Sequence, residues 1–465
     1  MKILYAASEA LPYIASGGLA DVAGSLPRAL NEAGHDCRVV MPLYSAIKWE
    51  LRESLEYITN FFVPVAWRNQ YCGVFKGVAN GVTYYLLDNE YYFKRNGIYG
   101  HYDDAERFTF FSRAILEMIK HIDFVPDILN CNDWQTALVP VYYNVFYKNQ
   151  KDLGNIKTVF TIHNIQYQGK YGLELHNDIL GLPDWAHSLV EYDNCVNFMK
   201  GAFETADKIT TVSPTYAWEI LNPYFSHGLD PVLWSKQYKL TGFLNGIDQD
   251  VYNPETDPAI PAHFSAEDKA GKKECKRSLL QEMGLPEGDE PVMGIVTRLV
   301  SHKGVDLIKR VFEDMIRIGY KFVILGSGEK QYEDFFREMA YRYPQAVGVK
   351  IGFIPDLAHR IYAGADMFLM PSQSVSLRYG TIPIVRETGG LKDSIVDCGG
   401  PGGNGFTFKT YNAHDMLDAT VRARAYYDKR MQWGKLVSHA LREDFSWARS
   451  AELYLGLYRE LAGDI

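Results

Sequence analysis

Two series of short apolar runs that alternate with helical stretches constrain the fold of this chain more than any other feature. In the first series, KILYAAS and CRVVMP flank a predicted helix from Ala20 to Ala33, which Gly34 terminates. An antiparallel hairpin is predicted over Phe62 to Leu87 around the turn ANGV, and the alternation resumes with DILNCND, KTVFTIHN and KITTVSP. Alternating strands and helices build a parallel sheet with helices on both faces, so this part of the chain is predicted to be a doubly wound α/β domain.

The second series follows Asn253 to Lys273, a stretch rich in Pro, Ala and charge that is typical of a linker entering a helix. PVMGIVTR, KFVILGSG, VGVKIGF and DMFLMPS are its predicted strands, with helices from Val305 to Ile318, from Tyr332 to Tyr343 and through His359. A chain of 465 residues exceeds the roughly 250 at which a single core stops growing.

The predicted class is therefore α/β, with two doubly wound, Rossmann-like domains that face each other across a cleft. We expect a first domain over residues 1–244, a hinge and linker over 245–273, a second domain over 274–448, and a last helix over 449–465 that packs back on the first domain.

Charge and cysteine usage exclude several classes of partner. A net charge of -9 disfavours nucleic acids and anionic membranes, because both select a basic surface. The six cysteines lie far apart without a CxxC pair, which indicates reduced thiols. Glu9 interrupts the first apolar run before a signal-peptide core could form, and no later run has the length of a membrane span. We expect a cytoplasmic protein whose first residues form a strand.

One crossover in the second series is unusually short. Asp366 to Met370 and Thr381 to Val385 are predicted parallel strands, and only Gln373 to Gly380 lies between their flanking segments. A covering crossover usually needs a dozen or more residues including a helix. SVSLRY is short and β-branched, so we expect no helix here and an uncovered sheet face.

Two segments could hold an anion. IASGGLADV follows the first strand, so the amides of Gly17 and Gly18 could face an anion at a helix start, although a tight turn with Asp21 as first-turn acid explains the pattern equally well. VTRLVSHKGVDLI places Arg298 at a strand end and Lys303 just before a helix. Taken alone, such a pair is more often solvated surface charge.

Other candidates follow strands. TIHNIQYQGKY carries His163 and Asn164, and NCNDWQTALVP carries Asp133 and Trp134, although a strand-end histidine is most often a satisfied core or capping group. GFIPDLAHRIYAGAD places Phe353 after a strand, where an aromatic residue is more often part of the core.

These segments closely resemble the bacterial glycogen synthases and plant starch synthases along essentially the whole chain. IASGGLADV matches that family's K-T-G-G-L-A-D-V with Ala15 for the lysine and Ser16 for the threonine. RLVSHKG matches R-L-x-x-x-K-G, FLNGIDQDVYNP matches L-N-G-I-D-x-D-x-W-N-P, and LRYGTIPIVRETGGLKD matches the region after the short crossover.

The resemblance implies a GT-B glycosyltransferase that moves glucose from ADP-glucose to the 4-hydroxyl at the non-reducing end of an α-1,4-glucan such as glycogen, with retention of configuration. It implies no metal and no cofactor, with ADP-glucose as donor substrate. The residues it assigns to catalysis are His163, Asp133, Arg298 and Lys303. Those it assigns to nucleotide-sugar binding are Ser16, Gly17, Gly18, Asp21, Asn245, Gly352, Phe353, His359 and Thr381, and those assigned to the acceptor and sugar cleft are Trp134 and Asn164.

One family segment has no counterpart in this chain. Between MPS and LRYG the family carries a longer piece, roughly R-F-E-P-C-G-L-S-Q-L, whose glutamate lies beside the transferred sugar. Whether the Gln373 to Leu377 crossover is a true deletion or an omitted loop stays open at this point. Two hypotheses follow, an active glucan synthase and a non-catalytic α-glucan or nucleotide-sugar binding protein. A phosphorylase is weaker, because no motif commits a lysine to pyridoxal phosphate.

Overall fold

A computed structural model describes residues 1–369 and 373–463 of the chain. Within these residues the chain forms two compact units, Met1–Asn245 with Trp447–Ile465, and Gly246–Ser446. Each unit has its own apolar core around a predominantly parallel sheet, which confirms the predicted α/β class.

The first unit is built on a sheet in the order β12-β11-β7-β6-β1-β2-β5-β4-β3, with a small second sheet in the order β8-β10-β9. The strands are β1 (Lys2–Ala6), β2 (Asp36–Pro42), β3 (Glu56–Val65), β4 (Arg68–Ala79), β5 (Val82–Asp88), β6 (Ile128–Asn132), β7 (Lys157–Ile162), β8 (Lys170–Tyr171), β9 (Glu191–Tyr192), β10 (Cys195–Asn197), β11 (Lys208–Thr211) and β12 (Leu240–Gly242). The helices are α1 (Gly18–Glu32), α2 (Trp49–Glu53), α3 (Glu90–Phe93), α4 (Asp104–Ile119), α5 (Leu138–Tyr142), α6 (His187–Val190), α7 (Phe198–Thr205), α8 (Pro214–Glu219), α9 (Pro223–Ser226) and α10 (Asp230–Ser235).

The main sheet of this unit is parallel from β12 to β5, while β3, β4 and β5 pair antiparallel. The predicted hairpin is thereby confirmed. Its turn lies at Asn80 and Gly81, whose φ angles of 49° and 74° are those that two-residue hairpin turns require at both central positions.

The second unit is a parallel sheet in the order β15-β14-β13-β16-β17-β18 with helices packed against it. Its strands are β13 (Val292–Val296), β14 (Lys321–Gly326), β15 (Val347–Ile351), β16 (Met367–Leu369), β17 (Ile382–Arg386) and β18 (Phe406–Phe408). Its helices are α11 (Ala270–Glu282), α12 (Val305–Arg317), α13 (Lys330–Arg342), α14 (Pro355–Gly364), α15 (Gln373–Arg378), α16 (Gly389–Ser394), α17 (Ala413–Tyr427) and α18 (Arg430–Arg442).

The segment that precedes α11 is part of this core. Asp257, Ile260 and Phe264 lie within the stretch predicted as a linker, and all three side chains are buried in the second unit.

The expectation that the short crossover carries no helix is wrong. α15 spans six residues between β16 and β17, and Leu377 and Tyr379 are fully buried. Gly380, with a φ of 62°, ends the helix, and the Thr381 amide donates to the Ser376 carbonyl. Because α17 and α18 also contact β17, the sheet face is covered although α15 is short. Met370, Pro371 and Ser372 of this crossover lie outside the described residues.

The last helix, α19 (Trp447–Ala462), packs on the first unit. The Tyr458 hydroxyl donates to Asn130 Oδ1 at 2.9 Å, the Ser450 hydroxyl donates to the Leu244 carbonyl at 2.7 Å, and the Tyr454 ring lies 4.8 Å from the Phe243 ring. Among the described helices of either unit, none combines the length and hydropathy that a bilayer span requires.

Candidate functional site

In the first unit the candidate residues gather at one edge of the main sheet. β1 lies between β2 and β6. Strands that follow β1 in the chain are added on the β2 side first and later on the β6 side, so the strand order reverses between β1 and β6. Ligands of doubly wound sheets bind beyond the carboxyl ends of the strands at such a switch point. The loops that follow β1, β6 and β7 carry Gly17, Asp133 and His163, so the structure brings these three loops to the same edge.

The loop after β1 is held by a residue that the sequence analysis did not select. The buried Glu9 carboxylate accepts a hydrogen bond from the Ser16 amide. Burial raises the pKa of Glu9, while the amides of Ser16 and Gly17 oppose that rise. Gly17 caps α1 and Gly18 is its first residue. An internal acid therefore occupies part of the amide cradle that was predicted for an external anion.

Asp21 lies exposed in the first turn of α1. An acid at this position stabilises the positive end of the helix, so its placement agrees with the turn interpretation as well as with a ligand contact.

Asp133 occupies an unusual backbone conformation directly after β6. Its φ of 56° lies in a region that non-glycine residues seldom adopt, and such positions concentrate at functional sites. Asp133 Oδ1 accepts hydrogen bonds from the amides of His163 at 2.7 Å and Asn164 at 3.2 Å. Burial nevertheless raises the pKa of this carboxyl to about 7. The acid is thus held in place and is about half protonated near neutral pH.

His163 is kept neutral by its surroundings. Burial lowers the pKa of its imidazole to about 4. Asn132 Nδ2 donates to the Ala6 carbonyl, so Asn132 Oδ1 accepts from His163 Nε2 at 2.9 Å. Nδ1 is therefore the nitrogen that keeps a lone pair. Asn164 is exposed, and its Oδ1 accepts from the Gln166 amide.

The side chain of Trp134 lies inside an aromatic cluster. It is 9% exposed, and its ring lies 5.1 Å from Phe108 and 6.2 Å from Phe198. This geometry supports the loop after β6 and gives the indole little surface for a ligand. Asn245 lies at the end of the first unit, and its Oδ1 is buried without a hydrogen-bond partner among the described residues.

In the second unit the switch point lies between β13 and β16, and two cations lie beside it. Arg298 is exposed just after β13, and Lys303 ends the short helical turn Ser301–Lys303 before α12. Partial burial and the charge of Arg298 lower the pKa of Lys303. Within the described part of the chain, neither side-chain charge has an ion-pair or hydrogen-bond partner. Two adjacent uncompensated cations repel each other, so the arrangement favours an anionic ligand.

Gly352 and Phe353 follow β15 at the same edge of this sheet. Gly352 has a φ of 146°, and its amide donates to the Gly326 carbonyl at 3.0 Å. The Phe353 side chain is 89% exposed. The alternative that Phe353 belongs to the core is therefore wrong, and a large aromatic ring is displayed to solvent.

His359 is engaged inside the second unit. Its Nδ1 lies 2.7 Å from Asp257 Oδ2, and its ring stacks on Tyr252 at 5.0 Å. The Tyr379 hydroxyl donates to the same carboxylate. These contacts fix α14 to the segment before α11, so the structure gives His359 a structural role and does not group it with Phe353.

The structure does not place Thr381 with the other candidates for nucleotide-sugar binding in this unit. Thr381 is fully buried just before β17, at the amino end of that strand. Its hydroxyl donates to the Ala365 carbonyl at 2.9 Å and accepts from Lys272 Nζ at 2.8 Å. The carboxyl end of β17 instead leads to Thr388, which caps α16. The T-G-G-L stretch that begins at Thr388 was the sequence signal that could have identified the loop after β17.

Solved structures match this architecture over the whole chain. The catalytic domain of starch synthase IV from Arabidopsis thaliana, bound to ADP and acarbose, has a TM-score of 0.90 and 33% identity over 99% of both chains. Sucrose-phosphate synthase from Thermosynechococcus elongatus matches all of both chains with a TM-score of 0.62 and 14% identity, which shows the fold alone. The chain is a glycosyltransferase with the GT-B fold.

Sequence comparisons narrow the class. The family model described as starch synthase catalytic domain matches residues 2–235, and the one described as glycosyl transferases group 1 matches residues 278–436. Glycogen synthase of Bacillus anthracis is 48% identical over 99% of this chain and all of the relative, and that of Anoxybacillus flavithermus is 46% identical over 99% and 98%. The chain belongs to the glycogen and starch synthase family, which confirms the resemblance.

The match with the Bacillus anthracis relative runs over 474 aligned positions, whereas this chain has 465 residues. At least nine residues of that relative therefore have no counterpart in this chain.

Proposed function

We propose that this chain extends an α-1,4-glucan by transferring glucose from ADP-glucose to the 4-hydroxyl at the non-reducing end, in the cytoplasm and with retention of configuration. The observation that carries the proposal is the pair of Arg298 and Lys303 at the switch point of the second sheet, whose side-chain charges have no partner among the described residues. The chain matches glycogen synthases along its whole length. The Arabidopsis relative with ADP and acarbose bound supports the same donor nucleotide and an oligosaccharide acceptor.

In this proposal the second unit binds the diphosphate of the donor. Arg298 and Lys303 bind its oxygens and stabilise the negative charge that develops as the glucose–phosphate bond breaks. Preorganised charges of this kind supply much of the rate enhancement in group transfer, because they need no rearrangement during the reaction. Phe353 stacks on the adenine, and the backbone at Gly352 sets the position of that ring.

The first unit holds the uncharged part of the substrates. Neutral His163 accepts a sugar hydroxyl at Nδ1, and Asp133 orients a second hydroxyl. Asn164 adds an exposed amide, while Trp134 supports the loop. Ser16, Gly17, Gly18 and Asp21 contact the donor, and Glu9 holds their loop through the Ser16 amide. Asn245 contributes its side-chain carbonyl oxygen, which has no hydrogen-bond partner in the described part of the chain. ADP-glucose is the donor substrate, and we expect no separate cofactor or metal in this reaction.

Incorporation of labelled glucose into glycogen tests the proposal. We expect transfer from ADP-glucose to exceed transfer from UDP-glucose, and the product to be digested by an enzyme specific for α-1,4 linkages. Equal use of both donors would contradict the donor assignment. A failure of both donors would leave the second candidate below as the function.

The second candidate is a non-catalytic α-glucan or nucleotide-sugar binding protein. It is favoured by the absence of any counterpart to the family's R-F-E-P-C-G-L segment, whose glutamate lies beside the transferred sugar. Inserting that segment between Ser372 and Gln373 separates the two candidates. If only the insertion variant transfers glucose while the natural chain binds glycogen, the second candidate holds. An insertion with glutamine in place of the glutamate is the matched control.

A further inference from the structure

Three side chains of the first unit form a cluster outside the residues used above. His176 begins a π-helical turn, His176–Leu180, His187 begins α6, and Glu191 begins β9. Each offers one ligand atom, and these atoms lie within 4.8 Å of one another. The two imidazole rings stack with their centroids 3.9 Å apart and their planes 17° from parallel.

His176 is the unusual member of this cluster. It is 4% exposed, and neither of its ring nitrogens has a hydrogen-bond partner among the described residues. Its Nε2 lies 3.0 Å from Glu191 Oε1, but the alignment falls outside hydrogen-bond geometry. Burying a polar group without a partner is costly, and such groups in native proteins mark ligands or strained functional positions. Apart from this contact with Glu191, neither ring nitrogen of His176 has a polar partner among the described residues, so the ring is available to a ligand.

The tautomer of His187 suits it to provide a second ligand, and its ring has to turn out of the nearly parallel stack with His176 to point that lone pair at a shared ion. Its Nε2 lies 3.1 Å from the Leu182 carbonyl, which can only accept, so Nε2 carries the proton and Nδ1 keeps a lone pair. Histidines that bind metals commonly donate their other ring nitrogen to a backbone carbonyl in this way, which fixes the tautomer and the ring orientation. The bond to Leu182 thus prepares His187 for coordination.

Glu191 completes the set with a carboxylate. It lies four residues after His187, and its side chain is 46% exposed, so the cluster opens to solvent on this side. Two imidazoles with one carboxylate are a ligand set that zinc accepts, with water in the fourth position. Tetrahedral zinc places its ligand atoms roughly 3.3 Å apart. The three ligand atoms lie within 4.8 Å of one another, and the partly exposed side chains of His187 and Glu191 can move to reach the zinc geometry.

We propose that His176, His187 and Glu191 bind one divalent transition-metal ion of the zinc class. The ion ties the π-helical turn, α6 and β9 together, and so fixes a stretch of 16 residues that contains no other long element. The set contains two nitrogen ligands, and therefore discriminates against Mg²⁺ and Ca²⁺, which prefer oxygen ligands in higher coordination.

Zn²⁺ titration of the full chain after removal of metals by a chelator tests the site. We expect one Zn²⁺ per chain by calorimetry or chromophoric competition, unaffected by excess Mg²⁺. Co²⁺ in place of Zn²⁺ should give the visible absorption of a tetrahedral nitrogen and oxygen site. Bound Zn²⁺ should also raise the melting temperature, because it binds the folded state only.

The variants are His187→Ala and Glu191→Gln, with His101→Ala as the matched control in the same unit. Since loss of a group behind a ligand costs about 10- to 100-fold in metal affinity, loss of the His187 ligand itself should weaken Zn²⁺ binding by at least about 100-fold. His101→Ala should bind as the natural chain does. Glu191→Gln preserves size, and its melting temperature in chelator shows that the fold is retained. Absence of stoichiometric binding, or equal binding by His187→Ala and the natural chain, overturns the proposal.

Discussion

The candidate sites at the sheet edges of the two units differ in the hydrogen-bond and charge partners of their side chains. At the edge of the first sheet, Asp133 is held by two backbone amides and His163 by Asn132, and both groups are shifted toward their neutral forms. At the edge of the second sheet, Arg298 and Lys303 keep their charges without partners in the described residues. The difference indicates that the edge of the first sheet is preorganised to bind an uncharged sugar, whereas the edge of the second sheet is suited to bind an anion.

The strongest test of this comparison removes one cation of the second edge. Lys303→Ala should lower kcat by roughly 100- to 1,000-fold, as loss of one preorganised charge does in other enzymes. Affinity for glycogen should stay unchanged, because the glucan carries no charge for Lys303 to bind. Steady-state kinetics with ADP-glucose and a glycogen-binding assay measure the two quantities.

Lys350→Ala is the matched control for that variant, since Lys350 is an exposed lysine of β15 in the same unit. It should leave both kcat and glycogen affinity at the level of the natural chain. Equal losses of turnover and glucan affinity in Lys303→Ala would mean that the diphosphate is bound elsewhere.

At the first edge, Asp133→Asn changes the charge and keeps the shape. Asn Oδ1 still accepts from His163 and Asn164, but its amide nitrogen cannot accept the sugar hydroxyl that the second carboxyl oxygen accepts, so turnover should fall roughly 10- to 100-fold.

The same variant has a pH-dependent effect on stability. The Asp133 pKa is raised from 3.8 to about 7, so the folded state holds the proton more tightly than the unfolded chain. Stability from the neutral acid is present below pH 3.8 and is lost as the pH rises through about 7. Asn cannot ionise, so Asp133→Asn should raise the melting temperature more at about pH 8 than at about pH 5. Thermal unfolding at both pH values checks this, and a gain independent of pH would contradict the assigned shift.

A smaller effect is expected for the exposed ring of the second edge. Phe353→Ala should raise KM for ADP-glucose about tenfold, because stacking of a base on an aromatic side chain contributes roughly 1–3 kcal/mol. The value of kcat should change little, since the adenine is remote from the bond that breaks. Tyr341→Ala, which removes an 87% exposed ring from α13, is the control and should leave KM unchanged.

Local sequence patterns were enough to predict the helices and strands, and to select Arg298 and Lys303 as candidate site residues. The helices predicted from Ala20 and from Val305 lie within about two residues of α1 and α12, because apolar spacing and terminal glycines are local signals. The crossover was misjudged because tertiary packing outweighs the β-branched character of SVSLRY. Ser376, Leu377 and Tyr379 are fully buried, and this burial stabilises a helix that intrinsic propensity alone would not support.

The errors at the site have one physical cause, which is that sequence does not show what lies across the fold. Glu9 reaches the Ser16 amide only because the loop turns back on itself. The zinc-type cluster depends on a ring contact between residues 11 positions apart. Thr381 is adjacent to a family motif, but adjacency does not show which end of β17 faces the ligand.

Thr381→Val makes the last point testable and gives the smallest expected effect. The buried ammonium of Lys272 would keep three carbonyl partners, from Ala363, Ala365 and Tyr379, but lose the Thr381 hydroxyl. Loss of one partner of a buried group should reduce the free energy of unfolding by about 1 kcal/mol. Because Thr381 is fully buried at the amino end of β17, KM for ADP-glucose should not change. Denaturant unfolding measures the change in stability, and titration with ADP-glucose measures KM. A raised KM with unchanged stability would mean that Thr381 contacts the donor.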